Sequence, residues 1–238
     1  MTPAEALAAL EARANPEKAA QMAAYHKAER PYLGVPNPEL DALAREWRQS
    51  LPLADRLTLA AALWASDIHE GRVAAAKLLT QARIQNDAPV WDMIASWVPQ
   101  FDAWAVADHA CMAGQKRLVA DTTRLDEVEI WTTSEHLWTR RAALVITLPF
   151  TKSRNPKPED LAIRERVLGW AATYVDSPEW FLQKAVAWWL RELSKKDPER
   201  TRAFLDQHGK TMAGFARREA SKYLPRLPEA DMPDQPPA

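Results

Sequence analysis

Apolar positions recur every three or four residues along nearly the whole chain, and prolines punctuate the pattern. No segment sustains the period-two alternation of β-branched residues that a strand needs. Thr2-Pro3-Ala4-Glu5 reads as a capping box with proline at the first helical position, opening a helix to about Ala14. Asn15-Pro16-Glu17 opens a second, to about Arg30. After the loop Pro31 to Pro38, the periodicity predicts helices over 38–49, 53–65, 69–84, 88–98, 102–119, 124–133, 135–148, 158–175, 178–195, 198–207 and 212–224. Pro52, Asp87, Asp102, Ser134, Asp176-Ser177-Pro178 and Asp197-Pro198 stand where these helices begin.

Helices joined by short turns make a bundle or a solenoid. The helix lengths and their irregular spacing favour an all-α superhelical solenoid of HEAT-like antiparallel repeats, with inner helices lining a concave face. No repeat is visible as self-similar sequence. The expected organisation is a single domain over 1–225, followed by a disordered, proline-rich, acidic tail over 226–238.

Composition changes this picture little. The hydrophobic content is 47% and the charged content 26%, as in ordinary soluble domains. No run is long enough to span a membrane, and the N-terminus has no signal-peptide pattern. With one cysteine, Cys111, the expected setting is the reducing cytoplasm. Charge is more informative. The net charge is −1, but residues 1–130 sum to −5 and residues 131–226 to +7, so the C-terminal half is locally basic.

Candidate chemistry centres on tryptophan. There are eleven, and three stand one helical turn from a charge: Trp104 with Asp108, Trp138 with Arg141, and Trp188 with Arg191. Such pairs suit a cationic or aromatic ligand and a polyanion. Asp108, in an otherwise apolar helix, could stabilise a cation or orient a water, or could be a plain helix-surface carboxylate. Arg140 and Arg141 fall early in their helix, where the dipole disfavours cations, and an anion such as a phosphate would offset that cost. No glycine-rich phosphate loop, HExxH, CxxC or histidine pair at ligand spacing is present, so no metal or cofactor is expected. Cys111 reads as a buried residue rather than a nucleophile.

Four separated blocks carry a resemblance. The first runs Asn15-Pro16-Glu17-Lys18-Ala19, Met22-Ala23-Ala24-Tyr25, then Tyr32-Leu33-Gly34-Val35 with Pro38-Glu39. The middle holds Trp104-x3-Asp108 and Trp138-Thr139-Arg140-Arg141-Ala142-Ala143. The most specific runs from Phe181-Leu182-Gln183-Lys184 through Ala187-Trp188-Trp189-Leu190-Arg191-Glu192, and Arg218-Glu219-Ala220 closes the set. Over about Asn15 to Leu224 the chain resembles the AlkD-type bacterial DNA alkylation repair glycosylases.

That resemblance implies a cofactor-free, monomeric enzyme acting on duplex DNA. It would excise positively charged N3- or N7-alkylated purines without obligatory base flipping. It implies Trp104 and Trp188 beside the deoxyribose, Asp108 on the developing sugar cation, and Arg141 on a backbone phosphate. Tyr25, Lys184, Arg191 and Arg218 are the further residues expected to meet DNA. The remaining tryptophans, Trp47, Trp64, Trp91, Trp97, Trp170 and Trp180 among them, are expected to pack, and Trp138 to support Arg141. Ala105, His109 and Pro36 depart from the family's usual polar residues. The competing expectation is a non-catalytic binder of damaged or branched DNA, or a protein scaffold.

Overall fold

The computed structural model describes residues 1–225, so the expected tail at 226–238 lies outside the described residues. Among the described residues there are thirteen α-helices and no strand. The first nine are α1 (Pro3–Glu11), α2 (Pro16–His26), α3 (Asn37–Ser50), α4 (Leu53–Ala65), α5 (His69–Leu79), α6 (Ala88–Trp97), α7 (Trp104–Ala120), α8 (Leu125–Trp131) and α9 (Leu137–Ile146). Four follow: α10 (Pro158–Ala172), α11 (Trp180–Ser194), α12 (Pro198–His208) and α13 (Gly214–Ala220). The described chain divides into two compact units, one over Met1–Pro149 and one from Phe150 onward.

Several helix starts follow the capping chemistry. The Thr2 hydroxyl accepts from the Glu5 N–H while the Glu5 carboxylate accepts from the Thr2 N–H, closing the capping box. Asn15 and Asp197 accept from the N–H groups three residues on.

Asp87 and Asp102 do not cap. The Asp87 carboxylate binds Arg117 and Arg124 instead. Asp102 pairs with Arg30, and α7 begins two residues later than expected, at Trp104. Several helices are shorter than their periodicity, α2, α5 and α13 most of all. α2 stops at His26 because Lys27 takes a left-handed conformation, φ 58°, and leaves Arg30 to its ion pair. α5 stops at Leu79 rather than near residue 84. The carbonyls of Lys77 and Thr80 turn to Arg48, and those of Gln81 and Ala82 turn to the fully buried Arg117.

In the first unit, α3, α5, α7 and α9 pack side by side in succession, and α4, α6 and α8 back onto α5, α7 and α9. This is a stack of helix pairs. Indoles join the backing row. Trp64 of α4 stacks on Trp97 at 4.2 Å and 3°, and Trp91 of α6 stacks on Trp131 of α8 at 5.9 Å and 9°. The device repeats in its polar contacts as well. Trp64 Nε1 donates to Gln100 and Trp91 Nε1 to Glu127, while Arg72 lies over Trp64 and Arg124 over Trp91. The front row closes through small residues. A Cβ on Gly114 would stand 2.6 Å from the Ile146 side chain, so α7 and α9 meet across a position with no side chain.

In the second unit, α11 packs against α12 and α13. Its buried Gln183 donates to the carbonyls of Val175 and Ser177, which pins the turn leading into the helix.

Candidate functional site

Trp104 and Asp108 lie one turn apart on α7, and Arg141 reaches them from α9. The Arg141 Nη2 donates to both Asp108 carboxylate oxygens, at 2.9 and 3.0 Å. The Asp108 side chain is 18% exposed and that of Arg141 6%. A carboxylate of the same unit is thus one anion that offsets the dipole cost at Arg141. Burial raises the Asp108 pKa above the ordinary carboxylate range, and the Arg141 charge and hydrogen bonds oppose that rise without cancelling it. Cys111 lies three residues further along α7 and is buried; burial, with Asp108 nearby, pushes its thiol pKa up. This arrangement offers a partly accessible carboxylate, held in one orientation and flanked by an indole. It can face a cation or hold a water.

Tyr25, on α2, is 70% exposed and stands edge-on to Trp104, with ring centroids 5.8 Å apart at 89°. Next to it His26 contacts Trp104 at 5.1 Å and stacks on His69 at 4.8 Å, and His69 in turn stacks on Tyr32 at 4.7 Å. The loop before α3 is tied down by Glu70, which is fully buried and accepts from the Leu33 and Gly34 N–H groups at 2.9 and 2.7 Å. Sequence reasoning missed His26, His69 and Glu70. The one available signal was the His69-Glu70 pair at the start of its helix.

The histidines carry a testable consequence. Burial is the main cause that lowers the pKa of His69 to about 3 and of His109 to about 4. Cationic neighbours, His26 when protonated and Arg30 for His69 and Lys77 for His109, lower them further. In the unfolded chain both titrate near 6.5, so below that pH the unfolded state binds more protons. Their contribution to stability is complete above about pH 6.5 and is lost as pH falls toward the folded values. The raised Asp108 works with the opposite sign, since its folded form gains a proton first as pH falls. Urea unfolding is expected to show a loss on the order of 2–4 kcal/mol between pH 7.5 and 5. His69→Leu should flatten that slope by about one proton. An unchanged slope would show that His69 titrates normally.

The other expected site residues belong to the second unit. Lys184, Trp188 and Arg191 share one face of α11 by their spacing. Trp188 is half-buried, while adjacent Trp189 is fully buried. Lys184 and Arg191 both bind Glu219, at 2.8 and 2.7 Å, so this carboxylate gathers the two cations. Arg218 is exposed. Trp180 does not pack as expected: it is 51% exposed, with Phe215 stacked on it and the Lys184 ammonium 5.3 Å above its ring. Trp47, Trp64, Trp91, Trp97 and Trp170 are buried, as are Trp131 and Trp189. The four that are not buried are Trp180 and the three that stand beside charges: Trp104, Trp138 and Trp188.

Among the described residues no group of three or more His, Cys, Asp or Glu side chains could hold a metal ion, and no helix is long and apolar enough to cross a membrane.

Comparisons with known proteins agree in direction. The family model described as "DNA alkylation repair enzyme" matches residues 6–224. A solved structure described as a predicted DNA alkylation repair enzyme from Enterococcus faecalis superposes with a TM-score of 0.74 at 25% identity, covering 90% of this chain and 98% of that one. Two structures from Streptococcus mutans share the fold at 19% identity and a TM-score of 0.59. One is the protein smu.31 from strain UA159, with 79% of this chain and 92% of that one covered. The other is AlkD2, with 81% and 90% covered. No curated protein matches the chain.

Proposed function

The chain belongs to the DNA alkylation repair enzyme family, and on that premise we propose that it is a DNA glycosylase that releases cationic N3- or N7-alkylated purines from duplex DNA. The observation that carries this reading is the partly accessible Asp108 carboxylate, held by Arg141 and flanked by the half-buried Trp104.

An alkylated purine already bears a positive charge, so its bond to C1′ of the sugar is weak and the base leaves without being protonated. The bond's electron pair goes to the purine, which departs neutral. The positive charge passes to the sugar. There Asp108 supplies an opposing charge and the indole face of Trp104 a negative quadrupole. A water bound to the carboxylate forms the new C1′–O bond and gives up a proton, which Asp108 can accept for transfer to solvent. No second carboxylate and no general acid is required. Neither must the base leave the helix before its bond is cut. By the resemblance, Trp188 is likewise assigned to the sugar. Arg191, Lys184, Arg218 and Tyr25 are assigned to DNA contacts, with phosphate affinity drawn from the basic C-terminal half.

Arg141 has a double assignment. It orients Asp108 and restrains its pKa, and the resemblance assigns its charge to a backbone phosphate.

The test is release of 7-methylguanine or 3-methyladenine from methylated duplex DNA. Release of either supports the reading. Salt-dependent DNA binding with no release of either base would instead mark a non-catalytic DNA binder.

A further inference from the structure

A cavity of about 320 Å³ lies among α2, α3, α5 and α7, and the bond-breaking step makes no use of it. Apolar Met22, Leu40 and Val73 line it, together with the rings of His26, His69 and Trp104. Four observations define what it can hold.

The first is charge. No Lys, Arg, Asp or Glu is among its described lining residues, and its histidines, His26, His69 and His109, are held neutral by burial. The contrast is local. Past His109 a second hollow of about 240 Å³ is lined by Asp41, Arg48 and Lys77. An anionic nucleotide would find no counter-charge in the larger cavity, and a full cation no carboxylate.

The second is unmet polarity. The Nδ1 atoms of His26 and His69 are buried and have no hydrogen-bond partner, and His69 is only 3% exposed. A neutral imidazole has one donor and one acceptor nitrogen, and leaving such an atom unpaired costs about 1–3 kcal/mol. Each atom has less than 1 Å² of accessible surface, so the polarity a ligand meets comes from the rest of the lining. Asn37 adds an amide with both capacities.

Size and shape are the third. About 320 Å³ is at the small end of small-molecule pockets. The stacked and edge-on rings of the lining, His26 with His69 and Tyr25 with Trp104, favour a flat heteroaromatic.

The fourth is position. Trp104 lines the cavity, and Asp108 is the next turn of the same helix.

We propose that this cavity receives the uncharged alkylpurine after its bond to the sugar has been cut. The inference rests on the glycosylase reading for the identity of the base. Cutting the bond removes the positive charge from the purine, so a neutral, ring-lined cavity beside the site distinguishes product from substrate. The base moves only after the chemistry, which leaves the cutting step itself independent of base flipping.

Free 7-methylguanine and 3-methyladenine are the probes, measured by equilibrium dialysis against the full chain without DNA. Saturable binding is expected, with 7-methylguanosine 5′-monophosphate at least about tenfold weaker, a difference of about 1.4 kcal/mol. Val73→Phe fills the cavity from its wall. Met22→Trp fills it from half-buried α2, where the core bears less of the change. Each is expected to abolish base binding while retaining the wild-type melting transition. Should Val73→Phe fail to fold, Met22→Trp decides. Absence of saturable binding, or binding that both folded variants retain, overturns the proposal. Base release from methylated duplex is measured in parallel. Release without free-base binding refutes the cavity assignment alone. Binding without release refutes the glycosylase reading and leaves a base site whose purpose is recognition.

Discussion

Asp108→Asn is expected to lower base release from methylated DNA by roughly 10²–10³-fold, the usual loss when one preorganised electrostatic partner of a transition state is removed. The substitution keeps the size and one carbonyl acceptor for Arg141, so its packing cost is small. Burial already disfavours the Asp108 charge, and the neutral amide relieves that penalty while leaving Arg141 without its anion. The two effects on stability oppose each other, whereas the effect on rate has one sign. A kinetic loss far larger than any shift in the melting transition is the expected signature. The wild-type pH profile gives a second signature. Activity requires the ionised carboxylate, so its acidic limb should fall at a pH above that of an ordinary aspartate. An Asn variant as active as wild type would end the assignment of Asp108 to the chemistry.

Glu70→Gln is expected to destabilise the first unit by about 3–5 kcal/mol. Two charge-assisted hydrogen bonds to backbone N–H groups end on this fully buried carboxylate, each contributing roughly 1.5–3 kcal/mol. Glutamine keeps one acceptor and points a donor at another donor. The loop it holds cannot adjust easily. Gly34 sits at φ +78°, and a Cβ there would stand 2.2 Å from the Asn15 carbonyl oxygen and 2.6 Å from the Ala19 nitrogen. The Asn15 N–H also donates to the Leu33 carbonyl. Loop and α2 are thus packed backbone to backbone, and Glu70 is the clamp. Urea unfolding measures the loss, and faster amide exchange at Leu33 and Gly34 should accompany it. An unchanged unfolding midpoint would mean that the loop is held by its packing alone.

Much of this was legible in the chain because it depends on local rules. Thr2, Asn15 and Asp197 cap helices for reasons contained in four consecutive residues. Asp87 and Asp102 look the same locally, but their partners lie 30 and more residues away, at Arg117, Arg124 and Arg30, and no local pattern carries that information. The end of α5 was hidden for the same reason, since arginines from α3 and α7 draw its carbonyls off. One-turn spacing to a charge did separate three of the four less buried tryptophans from the core. It could not reveal Trp180, whose exposure is a matter of tertiary position. Arg141 and Asp108 were both singled out, but the ion pair between them was not. Neither were His26, beside Trp104, and the buried His69 stacked on it, which no spacing rule singles out.

Cys111 sits one turn behind Asp108, buried, with its thiol pKa raised. It is the chain's only cysteine. Thiolates are the most readily alkylated groups in proteins, and this one is neither ionised nor accessible in the folded state. A member of a family that deals with alkylation damage thus offers no thiol target to the electrophiles that cause it. The protein is chemically quiet toward the agents whose products on DNA its family handles, and it remains so for as long as α7 stays packed.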